Sequence, residues 1–372
     1  MRVAIVGAGI GGLTAALALQ SAGVQVEVYE QARELTEVGA GVGLSPTAIR
    51  VLDRIGIGEE IRRRAAPLYG LWFRQPDGTV AGQMNTNSQG SQLAVYRPDL
   101  IAALTAALGS NVLHTGHRCI AFTQDERAAR VVFDNAATAE ADVIVAADGI
   151  HSVLQRHVVK PQPPVFSDRV AYRGILPGHR VPDLPQHEAV MWNGQDKYFL
   201  SYPLRKGALR NFVGIVPADQ QMRESWSAPG DPAALAAEFA GWDPQLQALL
   251  SQVDTTFRWG LYDRDPLPRW THGRLTLLGD AAHAMLPHMG QGGNQAVEDG
   301  MALAVLLRGL DTVEAPAALV RYQELRRSRT ALIQQGSRTN GQHLESQAVS
   351  RAERPGDDYD IEAEAEARRQ VP

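Results

Sequence analysis

A glycine-rich segment near the amino terminus has residue types and spacing that could hold a phosphate. Gly7, Gly9 and Gly12 occupy the fixed positions of a G-x-G-x-x-G motif, with Gly11 inside it. The motif joins a predicted strand to a predicted helix, so its glycines would allow a tight turn and a close approach to a pyrophosphate. Glu30 ends the next predicted strand, where an acid accepts ribose hydroxyls. The pattern predicts a dinucleotide site.

A second set of small and acidic residues follows two later predicted strands. Asp148 comes after the apolar run 141–147, and Asp280 comes after the run 274–278. An open α/β sheet binds ligands at the carboxyl ends of its strands, so both acids would face a ligand. Glycines at 290, 292 and 293 then lead into a predicted helix, whose first N–H groups would favour a group with negative charge.

Three segments resemble the single-component FAD-dependent aromatic hydroxylases, the family typified by p-hydroxybenzoate hydroxylase and salicylate hydroxylase. They are the first motif together with residues 38–56, the segment 141–156 around Asp148, and the segment 273–304 around Asp280. The resemblance extends from residue 1 to about residue 340 of the chain, in the family's order. It implies an α/β fold in which a Rossmann-like FAD-binding domain is interleaved with an antiparallel-sheet substrate domain, before a long C-terminal helix.

The resemblance also implies the cofactors. FAD would bind noncovalently, and NADH or NADPH would dock as a co-substrate without a nucleotide-binding domain of its own. Together, the motifs and the resemblance assign FAD contacts to Gly7, Gly9, Gly11, Gly12, Glu30, Gln31, Gly43, Arg97, Cys119, Asp148, Asp280, Gly290, Gln291, Gly292, Gly293 and Asn294.

The implied reaction is hydroxylation of a phenol-like aromatic or hydroxy-heteroaromatic ring with O2, through a flavin C4a-hydroperoxide. Such a site must exclude water and hold an acceptor near the ring hydroxyl. An FAD-dependent reductase, or another flavoenzyme of this fold that does not hydroxylate, stays open as an alternative. A flavin halogenase is disfavoured because no lysine precedes Lys160.

Two tyrosines and one histidine are the predicted catalytic residues. Tyr198 and Tyr202 are four residues apart in a predicted strand, so they should project from one face. His288 is the one side chain of the segment 287–292 expected to titrate near neutral pH, and we predict that it is a general base. In this segment and at the strand positions the chain is most similar to 6-hydroxynicotinate 3-monooxygenase, although that enzyme has histidines where Tyr198 and Gly43 stand. The tyrosines could instead belong to the sheet core, and His288 could be structural.

The substrate itself cannot be named from these residues. Arg173 and Arg210 are the candidates for binding a substrate carboxylate. Short strands rich in aromatic residues and proline dominate the region 165–265, with one predicted helix at 232–241. We predict an FAD-binding domain formed by 1–70, 95–165 and 266–310, a substrate sheet domain formed by 71–94 and 166–265, a C-terminal helix at 311–345 and a charged tail at 346–372.

Composition limits the other classes of function. The 372 residues carry a net charge of -5, which argues against a nucleic-acid-binding protein. No stretch has the length of apolar sequence that a membrane span needs, and no leader is recognisable, so we expect a cytoplasmic protein. The single cysteine and the spacing of the histidines predict no metal site. The composition is typical of a bacterial protein, and a homodimer is the assembly that the resemblance favours.

Overall fold

The computed structural model describes residues 1–35, 40–85, 92–218, 228–342 and 359–370. The helices are α1 (Ile10–Ser21), α2 (Pro46–Arg54), α3 (Gly58–Arg64), α4 (Arg97–Ala107), α5 (Pro232–Glu238), α6 (Pro244–Leu250), α7 (Asp280–His283), α8 (Gly292–Leu307), α9 (Ala315–Gln342) and α10 (Ile361–Arg369). The strands are β1 (Arg2–Val6), β2 (Gln25–Tyr29), β3 (Gly41–Leu44), β4 (Ala66–Leu68), β5 (Gly70–Arg74), β6 (Val80–Asn85), β7 (Gln92–Tyr96), β8 (Leu113–His114), β9 (Cys119–Gln124), β10 (Ala129–Phe133), β11 (Thr138–Ala141), β12 (Val143–Ala146), β13 (Val165–Pro177), β14 (Glu188–Asn193), β15 (Tyr198–Leu204), β16 (Leu209–Pro217), β17 (Pro229–Gly230), β18 (Thr256–Asp263), β19 (Thr271–His272) and β20 (Leu275–Leu277).

A largely parallel sheet forms the first layer, in the order β19-β20-β12-β1-β2-β8. Strand β1 pairs in parallel with both β12 and β2, and only β19 at the edge runs antiparallel to its neighbour. All four residues of β12 are buried, as expected for a strand covered on both faces. Helix α1 packs against α8 over this sheet. The mixed α/β class predicted from the sequence is confirmed.

A larger sheet, mostly antiparallel, has the order β17-β18-β13-β16-β15-β14-β5-β6. One of its faces packs on α5 and α6 through buried aromatic residues that include Trp192, Phe199 and Phe239. The other face turns toward the parallel layer. Two smaller sheets, β3-β7-β4 and β11-β10-β9, flank these layers. The predicted division into domains stays a prediction.

The prediction of one helix in the region 165–265, at 232–241, was incomplete, because a second helix, α6, follows α5. Asp231 caps α5 by accepting from the N–H of Ala233, and Asp243 caps α6 by accepting from the N–H of Gln245. Each cap is followed by a proline at the first helical position, where its missing N–H costs nothing. The Asp-Pro pair at 243–244 was therefore the sequence signal for the second helix.

Helix α9 lies within the predicted C-terminal helix, and part of the predicted charged tail is also helical. Helix α10 buries Ile361 and Ala365 against the main core, and it contacts α8 and α9. Asp360 caps it by accepting from the N–H groups of Glu362 and Ala363. Residues 343–358, 371 and 372 of the predicted helix and tail, and residues 38 and 39 of the first resembling segment, lie outside the described residues.

Candidate active site

The three motif glycines have different structural roles in the turn between β1 and α1. Gly7 has a φ of +109°, and a Cβ there would collide with the carbonyl oxygen of Ala147. A Cβ on Gly12 would collide with the carbonyl oxygen of Gly7, so α1 can pack this closely only without a side chain. A Cβ on Gly9 would meet no protein atom within 4 Å. The turn thus leaves bare backbone at the start of α1, where a pyrophosphate can approach.

Glu30 fixes the end of β2 beside this turn. Its Oε2 accepts from the N–H of Ala8 and its Oε1 accepts from the N–H of Ala32, both at 2.8 Å. Each carboxylate oxygen keeps a further lone pair, so the side chain can still accept from a ribose hydroxyl. Gln31, the next residue, is exposed.

Glycines and Asn294 build the opposite side of the site. Gly279 and Gly290 both have a φ of +63°, and they allow the sharp turns before α7 and α8. The amide nitrogen of Asn294 donates to the carbonyl oxygens of Gly43 and Gly290, at 3.0 and 2.9 Å. Its Oδ1 accepts from the N–H of Ser45. Asn294 therefore joins strand β3 to the loop that precedes α8.

A cavity of about 540 Å³ lies between the first layer and the larger sheet. Its lining brings together ten of the predicted cofactor residues and all three predicted catalytic residues. They are Gly9, Gly11, Gly12, Gly43, Arg97, Asp280, Gly290, Gln291, Gly292 and Gly293, with Tyr198, Tyr202 and His288. Bare glycine backbone and two helix N-termini converge on one side of this space, and these features fit a flat cofactor that carries phosphates.

The other predicted cofactor residues do not line this cavity. They are Gly7, Glu30, Gln31, Cys119, Asp148 and Asn294. Cys119 is buried on β9, where its Sγ contacts the carbonyl oxygen of Ala121. Asp148 accepts from the N–H of Val153, and burial raises the pKa of its carboxyl. The predicted FAD contacts of Cys119 and Asp148 stay predictions.

The larger sheet contributes a floor of side chains on alternate strand positions, in three rows. One row is Met84, Leu71 and Ala189 with Tyr202 beyond, the next is Phe73, Met191, Leu200, Val213 and Arg173, and the third is Tyr198, Ile215, Ala171 and Trp259. Within these rows Arg173 alone is charged. The floor is therefore apolar except for one cation and two phenols.

Tyr198 and His288 form a pair at the cavity wall. The Oη of Tyr198 lies 3.1 Å from Nδ1 of His288. Nε2 of His288 is buried without a hydrogen-bond partner among the described residues. Burial lowers the pKa of His288 to about 4, with Arg169 adding a smaller effect in the same direction. The expectation that His288 titrates near neutral pH was wrong, because the loop buries the ring and the charged form is disfavoured there.

Tyr202 lies on the same face of β15 as Tyr198, as the spacing predicted. Its ring packs over Gly41, where a Cβ would stand 2.5 Å from the ring edge. Burial raises the pKa of Tyr202 to about 12, and the charge of Arg173 opposes this rise. The phenol is therefore neutral at physiological pH, and it can both donate and accept a hydrogen bond.

The two candidate arginines occupy different environments. Arg210 is buried, and its guanidinium donates to the Oγ of Ser201 and to carbonyl oxygens, including that of Pro185. These contacts use the guanidinium to stabilise the sheet and the segment beside it. Arg173 lines the cavity, with its guanidinium carbon 5.0 Å from the centre of the Trp259 ring. Its Nε is buried without a hydrogen-bond partner among the described residues. Of these two arginines, Arg173 is therefore the one that can offer hydrogen bonds to a ligand in the cavity.

A buried ion cluster supports the start of α7, where Asp280 lies. Asp299 accepts from Nε2 of His283 at 2.6 Å, from Nε of Arg326 at 2.8 Å and from the N–H of Gly279 at 3.1 Å. Burial alone would raise the pKa of Asp299, but His283 and Arg326 outweigh it and lower that pKa. His283 is thus a structural residue, buried in contact with Asp299.

Sequence reasoning missed two polar side chains of the cavity, Gln92 and Asn340. Neither belongs to a motif, and Asn340 comes from the last turn of α9, whose distance from the site in sequence gave no signal. Over the ranges that the structure describes, no group of three or more metal-ligating side chains could hold an ion. No helix in those ranges has the length and apolar character to cross a membrane.

Comparison with known proteins identifies the family. The family described as FAD binding domain matches residues 1–337. A 3-amino-4-hydroxybenzoate 2-monooxygenase of Streptomyces platensis is 36% identical over 96% of this chain and 94% of its own length. A 6-hydroxynicotinate 3-monooxygenase of Bordetella bronchiseptica is 33% identical over 91% of each chain.

A solved structure agrees with both relatives. The crystal structure of Klebsiella pneumoniae HpxO complexed with FAD and uric acid superposes with a TM-score of 0.84. It is 28% identical, over 93% of this chain and 89% of that one. The chain therefore belongs to the FAD binding domain family, as a flavoprotein monooxygenase of the single-component aromatic hydroxylases.

Proposed function

We propose that this protein hydroxylates the ring of a small aromatic or heteroaromatic acid that already carries a hydroxyl group, with NADH or NADPH as reductant and O2 as oxidant. The observation that carries the substrate class is Arg173, the single cation in an otherwise apolar floor. A buried cation is costly unless an anion compensates it. The two relatives are named for rings that carry a carboxylate and a hydroxyl, which supports the same class here.

FAD would be held noncovalently by both sides of the cavity. The bare backbone at Gly9 and the start of α1 would take the pyrophosphate, and Glu30 a ribose. Asp280 would accept from a ribityl hydroxyl, and the N-terminus of α8 would face the ring system. When bound, the flavin supplies the activated oxygen, and the protein supplies binding, orientation and exclusion of water.

Arg173 and Tyr202 would activate the substrate. A carboxylate could accept two parallel hydrogen bonds from the Arg173 guanidinium. The same cation lowers the pKa of a nearby ring hydroxyl, since it stabilises the phenolate form. Tyr202 is neutral, so its O–H can donate to that phenolate oxygen. The ring would then be electron-rich at the moment of oxygen transfer.

Tyr198 and His288 would act as a hydrogen-bonding pair rather than as a general base. An imidazole with a pKa near 4 is a weak acceptor of protons at neutral pH. Nε2 of His288 lies buried without a partner, and an unpaired N–H there costs more than an unpaired lone pair. We therefore assign the ring proton to Nδ1, which donates to Tyr198 Oη. The Tyr198 O–H is then free to donate into the cavity.

Product analysis tests this proposal. The FAD-loaded protein is incubated with NADH or NADPH and a panel of hydroxybenzoates and hydroxynicotinates, beside the same rings without the carboxylate. For at least one acid, we expect the amount of ring-hydroxylated product to match the amount of nicotinamide cofactor oxidised. For rings without the carboxylate, we expect mainly hydrogen peroxide. Oxidation without hydroxylated product for every acid would contradict the proposal and favour a reductase.

Three further expectations stay predictions. They are the choice between NADH and NADPH, a homodimeric assembly and a cytoplasmic location. The product assay decides the first of them, because it measures both reductants.

A further inference from the structure

The C-terminal part of α9 contacts the loop that carries His288 at regular intervals. The side-chain nitrogen of Gln334 donates to the carbonyl oxygen of Ala284 at 3.0 Å. Ser337 Oγ donates to the carbonyl oxygen of Leu286. Both side chains are buried.

Gly341 completes this set of contacts one turn later. A Cβ on Gly341 would stand 2.5 Å from Nε2 of His288. Residues 334, 337 and 341 have the i, i+3, i+7 spacing of one helix face. This face therefore follows alternate residues of the loop, at 284, 286 and 288.

His288 is held from both sides by these contacts. Its Nδ1 faces Tyr198 Oη, and its Nε2 edge lies against the backbone of Gly341. The ring has no room to turn toward α9 without leaving Tyr198. Residues 338–342 lie beyond the part of the chain that the family matches.

We propose that the C-terminal turns of α9 position His288 against Tyr198, with Gly341 as the residue that sets the distance. Gly341 does not line the cavity, so it would act as a positioning residue, through His288. The link to catalysis rests on the proposed function. If Tyr198 must present its O–H to the ring, a displaced His288 misaligns it, and reducing equivalents go to hydrogen peroxide rather than to product.

The variant Gly341→Ala tests the proposal, with Gly336→Ala as a matched control on the same helix. The control Cβ would meet the end of the Met289 side chain, with Sδ at 3.1 Å and Cε at 3.9 Å, and a thioether moves readily. Alanine favours a helix more than glycine does, so neither change should weaken α9 itself. We expect Gly341→Ala to raise the peroxide fraction at least about threefold and the control to leave it unchanged, because reaction geometry is sensitive to small displacements.

A second measurement needs no substrate. In FAD-loaded protein with labelled histidine, the His288 ring resonance is assigned by its loss in His288→Asn. Gly341→Ala should shift this resonance, and Gly336→Ala should leave it in place. If the wild-type protein hydroxylates nothing, the proposed function fails, while the resonance still decides the positioning role.

Two outcomes would overturn the proposal. One is a Gly341→Ala protein with a wild-type resonance and a wild-type peroxide fraction. The other is an equal effect of both glycine variants, which would assign the change to the helix in general. If Gly341→Ala fails to fold, Ser337→Ala replaces it, with the exposed Ser328→Ala as its control. A wild-type resonance in Ser337→Ala would then overturn the proposal.

Discussion

The two walls of the cavity differ in the atoms that form them: one is mainly main chain and the other is mainly side chains. The flavin wall consists mainly of backbone, at Gly9, Gly43, Gly290 and Gly292, and of the first turns of α1 and α8. The sheet wall consists of side chains on alternate strand positions. A wall of backbone recognises a cofactor shared by a whole family, whereas a wall of side chains can change with the substrate.

This difference predicts where a substitution acts. Residues of the flavin wall have little freedom for two reasons: Gly12 faces main chain that cannot move, and Gly9 faces open space that the cofactor would fill. A residue of the sheet wall can be exchanged for one of similar volume at small cost. Substitutions in the flavin wall should affect folding or FAD binding. Substitutions in the sheet wall should affect only the binding and hydroxylation of the substrate.

The largest effect is expected at the glycine turn. Gly12→Ala puts a Cβ against the carbonyl oxygen of Gly7, so it should lower the free energy of unfolding by roughly 1–3 kcal/mol or more, as overpacking does. Gly9→Ala meets no protein atom. It should leave the unfolding free energy of FAD-free protein unchanged and weaken FAD at least about tenfold, because a pyrophosphate approaches this backbone.

Urea unfolding of FAD-free protein and titration with FAD separate these two effects. If Gly9→Ala destabilises the FAD-free fold as much as Gly12→Ala does, the two glycines do not have different roles. The contrast between a packing glycine and a binding glycine would then be lost.

The next effect concerns His288 and its dependence on pH. The folded protein binds the imidazole proton with a pKa of about 4, and the unfolded chain with a pKa near ~6.5. Between these values the unfolded state binds more protons, so the contribution of His288 to stability is fully present above the unfolded pKa and is lost as the pH falls. At about pH 5 this amounts to about 2 kcal/mol relative to pH 7.

His288→Asn removes this titration and provides the comparison. The difference in unfolding free energy between wild type and variant should change by about 2 kcal/mol from about pH 7 to about pH 5, with the wild type losing more. A constant difference over this range would mean that the ring is not buried as a neutral group. The rate of hydroxylation should likewise show no dependence on a group near pH ~6.5 that belongs to His288.

The two walls give different kinds of sequence signal, and the reason is physical. Gly7 and Gly12 are required by backbone geometry, and Asp280 directly follows a buried strand and its turn, so they form readable motifs. Tyr198 and Tyr202 were placed on one face by the period of a strand alone. Arg173 and Arg210 could not be told apart, because only packing shows which guanidinium is already satisfied.

Two other sequence predictions failed, the titration of His288 and the number of helices after residue 232. The titration of His288 depends on burial by α9, which approaches from more than forty residues along the chain. Helix α6 was missed although Asp243 and Pro244 form a standard start, because the surrounding segment is irregular. The existence of α9 within 311–345, by contrast, followed from sequence, since a long helix needs only local propensity and a regular apolar face.

A smaller effect is expected at Tyr202. Tyr202→Phe removes one hydroxyl and almost no volume, and a net hydrogen bond contributes about 0.5–1.5 kcal/mol. FAD affinity should not change, and the peroxide fraction should rise about two- to tenfold as the ring loses a donor. Parallel assays of peroxide and product measure this, with the exposed Tyr69→Phe as a control. Unchanged coupling would reduce Tyr202 to a packing residue over Gly41.

Arg173 is the group that would recognise the substrate carboxylate, and a thermodynamic cycle that changes both the arginine and the carboxylate tests this directly. Arg173→Met keeps an unbranched stem and removes the charge. The perturbation of the flavin spectrum measures the dissociation constant of the accepted acid and of its carboxamide, with wild type and variant. Hydrogen bonds to charged groups contribute about 1.5–3 kcal/mol, so the acid should bind roughly 10–100-fold more weakly to the variant, while the carboxamide changes less than about threefold. Equal losses for acid and carboxamide, with FAD affinity unchanged, would contradict the assignment.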